Sequence, residues 1–192
     1  MNGQADNRRP HIVSAAAHLF RNKGYERATI RDLAGAVTLQ IGSLFHYFVS
    51  KEEILFAVIA EAMNQTTTRA ELALEANHCP LARLRALIGC ELEAVCGSTA
   101  DGMHVAAFEW RKLSKDRQDD LVEIRNRYED LWRESLNEVA QANLLALDPF
   151  LARRFLNGAL SWTSTWFRPD GSRSLKDLTD AAMAMVLAPS PG

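Results

Sequence analysis

An all-α fold of about nine helices is what this sequence predicts, and three observations carry it. Apolar residues recur at three-to-four spacing along the 192-residue chain. No stretch alternates persuasively as a strand would. The pattern breaks where capping and turn residues stand: Gly24, Thr29, Ser50, Pro80, Asp148-Pro149 and Ser174. No internal repeat or low-complexity tract interrupts it.

Residues 2–9 read as a flexible basic arm, with Arg8 and Arg9 placed to follow a nucleic-acid backbone. Pro10 suits a first helical position, and Ile12, Ala16, Leu19 and Phe20 make an apolar stripe that ends at Gly24, a left-handed C-cap. Thr29 caps Ile30–Ala34, with Asp32 answering three residues on. After a break at residues 36–39, Ile41, Leu44, Phe45 and Phe48 recur as a one-sided helix. Leu44 and Phe48 are its core positions. Ser50 and Glu53 form a second capping box and launch a long helix from Lys51 to about Asn77. Two short helices, the second with polar residues on its free face, are what a helix-turn-helix needs to lay side chains in a major groove.

Pro80 resets the chain, and Leu81, Leu84, Leu87, Ile88 and Leu92 carry a helix toward Gly97. Residues 97–102 read as a loop and Met103–Lys112 as a short helix. A long charged helix follows from Asp116 to about Asn143, with Leu121, Ile124, Tyr128, Leu131, Trp132, Ser135 and Val139 on one face. Asp148-Pro149 is an N-cap and N1 pair launching a helix to about Phe167. Arg168–Gly171 is a turn, and Ser174 with Asp177 caps the last helix. That helix shows Leu178, Ala181, Ala182, Met185 and Val186 on its apolar face. Both final helices carry apolar faces wider than a lone helix buries, and the alanines permit close approach.

Composition narrows the class. A hydrophobic content of 47% with 24% charged residues suits a globular protein with ample material for a core. No run approaches the roughly 18 apolar residues of a membrane span, and MNGQADNRRP lacks the apolar segment of a signal peptide. The expectation is a cytoplasmic protein without a membrane partner. Cys79, Cys90 and Cys96 are an odd count without CxxC spacing and read as free thiols. Residues 1–51 carry seven Lys/Arg against three acids, and the remainder fifteen against twenty-one. A basic head on an acidic body presents one end to phosphate.

Side-chain chemistry assigns roles within that head. Thr29, Tyr47 and Lys51 suit phosphates. Arg31, Ser43 and His46 suit base edges, with Arg31 matched to guanine, Gln40 to adenine and Ile41 to a thymine methyl. Gly42 lets the backbone approach, and Phe45 suits a base or sugar. In the body, Trp110, Trp132, Trp162 and Trp166 are expected to converge on one core, either as packing or as pocket lining. His78 and His104 stand alone, and no HExxH, nucleophile elbow or Gly-rich phosphate loop is present. Neither an enzyme, a metal site nor a cofactor is expected.

The run Ala15-Ala16, Leu19-Phe20, Gly24-Tyr25, Ala28–Ala34, Gly42–Phe48 and Ser50–Glu53 closely resembles the DNA-binding end of the TetR family of bacterial repressors. Three positions depart from it. Thr38 stands where the turn usually has Gly, Gln40 where the recognition helix opens with Ser or Thr, and Phe45 where Tyr is usual. The resemblance implies a DNA-binding domain at 1–50 and a helical ligand-binding and dimerisation domain at 51–192. It also implies a homodimer on a palindromic double-stranded operator. In the family the last two helices pair with their copies, which places Phe155, Ala159, Leu178, Ala182 and Met185 at the interface.

A second resemblance lies further on. Phe108–Arg111, Arg125–Glu129, Leu160–Trp162 and Trp166–Gly171 are similar to the subgroup of these repressors that governs fatty-acid, sterol or aromatic acyl-CoA breakdown. It implies an acyl-CoA effector, with Trp110, Arg111, Arg125, Tyr128, Trp132, Trp162 and Trp166 as ligand-binding candidates and Arg127 beside them for CoA phosphates. Salt bridges to Glu109, Glu123 and Glu129 are the competing role for these arginines. A multidrug-type pocket and a ligand-independent DNA-binding protein remain open alternatives, as does a small-molecule binder with a vestigial head.

Overall fold

A computed structural model describes residues 8–97 and 99–189. Among these are nine α-helices: α1 Arg8–Lys23, α2 Ile30–Ala36, α3 Ile41–Leu44, α4 Lys51–Glu75, α5 Pro80–Cys96, α6 Ala100–Glu109, α7 Lys115–Gln141, α8 Pro149–Trp166 and α9 Leu175–Val186. A single 3₁₀ turn, Trp110–Lys112, joins α6 to α7. No strand is present among the described residues, only an isolated antiparallel bridge between Leu145 and Leu187. The all-α expectation holds.

The caps explain most of the boundaries. Thr29 Oγ1 accepts from Asp32 N at 3.1 Å while the Asp32 carboxylate accepts from Thr29 N at 2.8 Å, so α2 opens on a reciprocal capping box. Ser174 and Asp177 repeat the device at α9. Ser50 caps Glu53 N at 3.0 Å, but Glu53 reaches one residue further back than expected, accepting from Val49 N at 2.7 Å. Asp148 accepts from Leu151 N at 3.1 Å ahead of Pro149. All three cysteines are free thiols.

Several expectations need correction. Residues 2–7 of the basic arm lie outside the described residues, and Arg8 and Arg9 belong to the first turn of α1. The Arg9 guanidinium lies 4.7 Å from the centroid of the Phe48 ring instead of reaching outward. The 97–102 loop is shorter than expected, because α6 begins at Ala100; Ser98 lies outside the described residues. Gly102 thereby sits inside α6, where an added Cβ would meet Ala62 Cβ at 2.7 Å.

The chain forms two compact units. The first comprises the residues to Met63 together with Asp101–Val122, and the second comprises Asn64–Ala100 with Glu123 onward. The first unit buries Ile12, Ala16, Phe20, Leu33, Leu44, Phe48, Leu55 and Val58. Polar ties bind α6 and its neighbours to that core. Asp101 accepts from Arg21 at 2.7 Å and meets His18 Nδ1 at 3.0 Å, Glu109 accepts from Tyr25 N at 3.1 Å, and Glu52 accepts from Ser114 N at 2.7 Å.

In the second unit α5 packs against α8 and α9. Its core joins Leu84, Leu87, Ile88 and Leu92 of α5 to Trp132, Leu136 and Val139 of α7, Leu156 and Leu160 of α8, and Met183 and Val186 of α9. A buried polar knot crosses it. Arg153 at the start of α8 donates to Glu91 of α5 at 3.1 Å and forks onto Glu129 of α7 at 2.6 and 3.0 Å.

Candidate functional site

The helix-turn-helix is built by α2 and α3, and its turn carries the one feature that composition disguised. Leu39 N donates to Ala34 O at 2.9 Å and Thr38 N to Gly35 O at 3.2 Å. That pair is a Schellman closure, which demands a left-handed residue, and Thr38 supplies it at φ 54°. A β-branched side chain is strained there. The usual Gly is absent, yet its conformation is kept. Gln40, standing in for Ser or Thr, makes no side-chain cap on α3. Regular α-helix then ends at Leu44, sooner than the expected run to Phe48. Tighter i→i−3 bonds, His46 N to Ser43 O at 3.3 Å and Tyr47 N to Leu44 O at 3.0 Å, carry the turn onward, and Phe48 N closes on Leu44 O at 3.2 Å.

Burial divides this segment cleanly. Leu44 and Phe48 are buried, while Arg31, Gln40, Ile41, Gly42, Phe45 and His46 are exposed and Ser43 and Tyr47 half-buried. Arg31 has no ion pair or hydrogen bond among the described residues. Thr29 and Lys51 are more engaged than their phosphate roles suppose. The Thr29 hydroxyl is taken up by Asp32. The Lys51 ammonium lies 4.2 Å from the Tyr25 ring centroid and donates to Glu26 O at 3.3 Å. Asp32 also accepts from Lys23 Nζ at 2.6 Å; that bond, with those from Thr29, holds its carboxyl well below the usual carboxylate range.

Within the second unit Trp132, Trp162 and Trp166 do not gather into one aromatic core. Trp110 and Arg111 belong to the first unit, half-buried and exposed respectively. In the second unit Trp132 is fully buried, Tyr128 meets it edge-on with centroids 6.4 Å apart, and Arg153 lies 4.3 Å over the indole. Trp162 and Trp166 stand 67% and 50% exposed. The reason is the phase of α8. Ala152, Leu156, Leu160 and Thr163 take the buried stripe, so Phe155, Trp162 and Trp166 fall on the neighbouring exposed one. Arg125 is exposed, and Arg127 pairs with Glu71 at 2.7 Å, not with Glu109, Glu123 or Glu129.

The α9 face is likewise shifted. Thr179, Ala182, Met183 and Val186 are buried, so Ala182 packs into the core of the second unit, against its expected place on an exposed interface face. Phe155 and Met185 are 55% and 52% exposed, with Ala159 and Leu178 half-buried.

Sequence reasoning missed Glu91 and Arg153. Glu91 is buried and accepts from Tyr128 Oη at 3.1 Å as well as from Arg153. Burial pushes its carboxyl up against the pull of Arg153. Burial works to lower the Arg153 guanidinium, but Glu91 and Glu129 outweigh it and hold it charged. The signal available was phase: of the two acids of α5, Glu91 falls in register with Leu84, Leu87 and Ile88 on the buried stripe, while Glu93 faces out.

Comparison with known proteins agrees with this geometry. Residues 12–58 match the family model described as bacterial regulatory proteins, tetR family, and residues 77–189 match the tetracyclin repressor-like C-terminal domain. The HTH-type transcriptional repressor KstR2 of Mycolicibacterium smegmatis is 30% identical over 96% of this chain and 91% of its own length. Among solved structures, the superantigen PfiT is 46% identical with a TM-score of 0.82, covering 93% of this chain and 95% of that one. AibR, in complex with isovaleryl coenzyme A and operator DNA, shares the fold at a TM-score of 0.84 and 23% identity, covering 93% of this chain and 97% of its own. A helix-turn-helix with buried Leu44 and Phe48, family models over both ends and a full-length repressor relative lead to one conclusion: the chain belongs to the TetR family of transcriptional regulators.

Proposed function

We propose that this regulator is a repressor that binds a palindromic operator as a homodimer and is released by an acyl-CoA thioester. The observation that carries the DNA half is the division of the helix-turn-helix into buried Leu44 and Phe48 and an outward Arg31, Gln40, Ser43 and His46. Those side chains offer donors and acceptors to base edges. Residues 1–50 are the reading head and 51–192 the effector and dimer body. Two-fold pairing through the exposed stripe of α8, which carries Phe155 and Trp162, and through Met185 of α9 sets two heads on two half-sites.

The effector half is supported by the acyl-CoA subgroup resemblance and by the ligand in the AibR structure. Helix α4 begins at Lys51, beside the head, and ends at Glu75 in the second unit, which suits it to carry the response. A coupling of roughly 1–3 kcal/mol shifts occupancy about 5- to 150-fold. Fluorescence anisotropy on the duplex upstream of the protein's own coding region tests this, with free fatty acid, free CoA and an acyl-CoA series as challengers. Tight cognate binding abolished by a thioester, with free acid and CoA inert, is the expected result. Binding that no thioester disturbs sinks the acyl-CoA reading, and binding no tighter than to random DNA sinks this operator.

A further inference from the structure

A groove of about 450 Å³ lies between the last turns of α7 and the first turns of α8, within the second unit. Its volume falls in the range of small-molecule sites, roughly 300–1,000 Å³. Leu136, Pro149 and Phe150 supply apolar wall, and Arg133, Arg154 and Asn137 supply donors. None of these was an effector candidate from the sequence.

The charges in the groove are unequally available. Arg153 is spent on Glu91 and Glu129, and that fork also occupies the Glu129 carboxylate. Asp148 caps α8. Among the described residues Arg133 holds only a surface pair with Asp130 at 2.7 Å, 64% and 50% exposed, of the kind that exchanges readily. Arg154 has no carboxylate partner among the described residues. Its guanidinium lies 5.1 Å from the centroid of the Phe150 ring, which is itself 65% exposed. A flat cation on an exposed aromatic ring is a platform for a planar base, and two loosely held guanidiniums beside it match phosphate oxygens. An aliphatic acid would use one arginine and leave the ring idle.

Resting on the acyl-CoA reading above, we infer that this groove binds the adenosine 3′,5′-bisphosphate end of the thioester. The adenine stacks on Phe150 and the phosphates bridge Arg133 and Arg154. Arg153, beneath them, ties the groove to α5 and α7 through Glu91 and Glu129, so an anion held here bears on the core of the unit.

Isothermal titration of the full chain with adenosine 3′,5′-bisphosphate, and separately with free CoA, tests the assignment. Both bind the wild type. R133Q/R154Q weakens both by roughly tenfold or more, while F150A weakens them less and leaves their salt dependence unchanged. Far-UV circular dichroism and sedimentation on each variant show that helix content and assembly are retained. Absence of binding to the wild type, or equal affinity in R133Q/R154Q, overturns the assignment. Operator release by acyl-CoA, followed in parallel, separates the two readings. Equal release from wild type and R133Q/R154Q removes the groove and leaves the effector. Bisphosphate binding without release by any thioester keeps the groove and removes the effector.

Discussion

Arg153 donates to the buried carboxylate of Glu91 at 3.1 Å while its guanidinium lies 4.3 Å over the ring of Trp132. One side chain from α8 thus neutralises an acid on α5 and covers an aromatic on α7. Arg153→Met leaves that acid buried without its cation, a change that typically costs about 3–5 kcal/mol. Urea denaturation is expected to show this loss, with E91Q/R153M recovering most of it. In R153M the Glu91 carboxyl, already raised by burial, rises further. An acid whose folded pKa exceeds its unfolded value is favoured folded when protonated, so the variant regains stability as pH falls through that pKa.

Thr38 occupies a left-handed position at φ 54° that the Schellman closure of α2 imposes. Thr38→Gly removes the strain of roughly 1–2 kcal/mol but gives back part of it as unfolded-chain entropy. A net gain of about 0.5–1 kcal/mol, read as a higher midpoint in denaturant, is the expected outcome. A loss would mean that the hydroxyl or methyl of Thr38 contributes contacts of its own.

The Asp32 carboxylate accepts from Lys23 and from both groups of Thr29. Its folded pKa is depressed, so its stabilising contribution is complete above the unfolded pKa and disappears as pH falls toward the folded one. Thr29→Ala, which removes the cap, is expected to cost about 0.5–2 kcal/mol without any DNA present. The gap between thermal melts of wild type and T29A should narrow at acid pH, as protonation weakens the Thr29 hydroxyl's bond to the carboxylate, while the part due to Thr29 Oγ1 accepting from Asp32 N persists.

Arg31 is exposed and unpaired among the described residues, beside the recognition segment. If it reads a guanine, Arg31→Ala weakens cognate binding by about 1–3 kcal/mol and relaxes the preference at one position. An equal loss on cognate and random duplexes, with a shallower salt slope, would reassign it to a phosphate.

Trp162 is 67% exposed on the second apolar stripe of α8. Trp162→Glu places a charge in the proposed dimer contact and is expected to shift sedimentation toward the monomer while far-UV circular dichroism is unchanged. Unaltered assembly would move the interface off this stripe.

What the sequence determined alone was local. Helix phase, the capping boxes at Thr29 and Ser174, the Asp148-Pro149 start of α8 and the buried roles of Leu44 and Phe48 all depend on residues within a turn or two of one another. Spacing and capping chemistry therefore reveal them. The outward set from Arg31 to His46 was legible for the same reason. Tertiary structure decided where faces go. A wide apolar face on α8 or α9 does not say which stripe meets α5, so Trp162 and Trp166 fell outside and Ala182 inside. Nor does local spacing show that Glu91 and Arg153, 62 residues apart, find each other. Partners that distant are chosen by packing, because only a folded core removes the water that would otherwise solvate both charges separately.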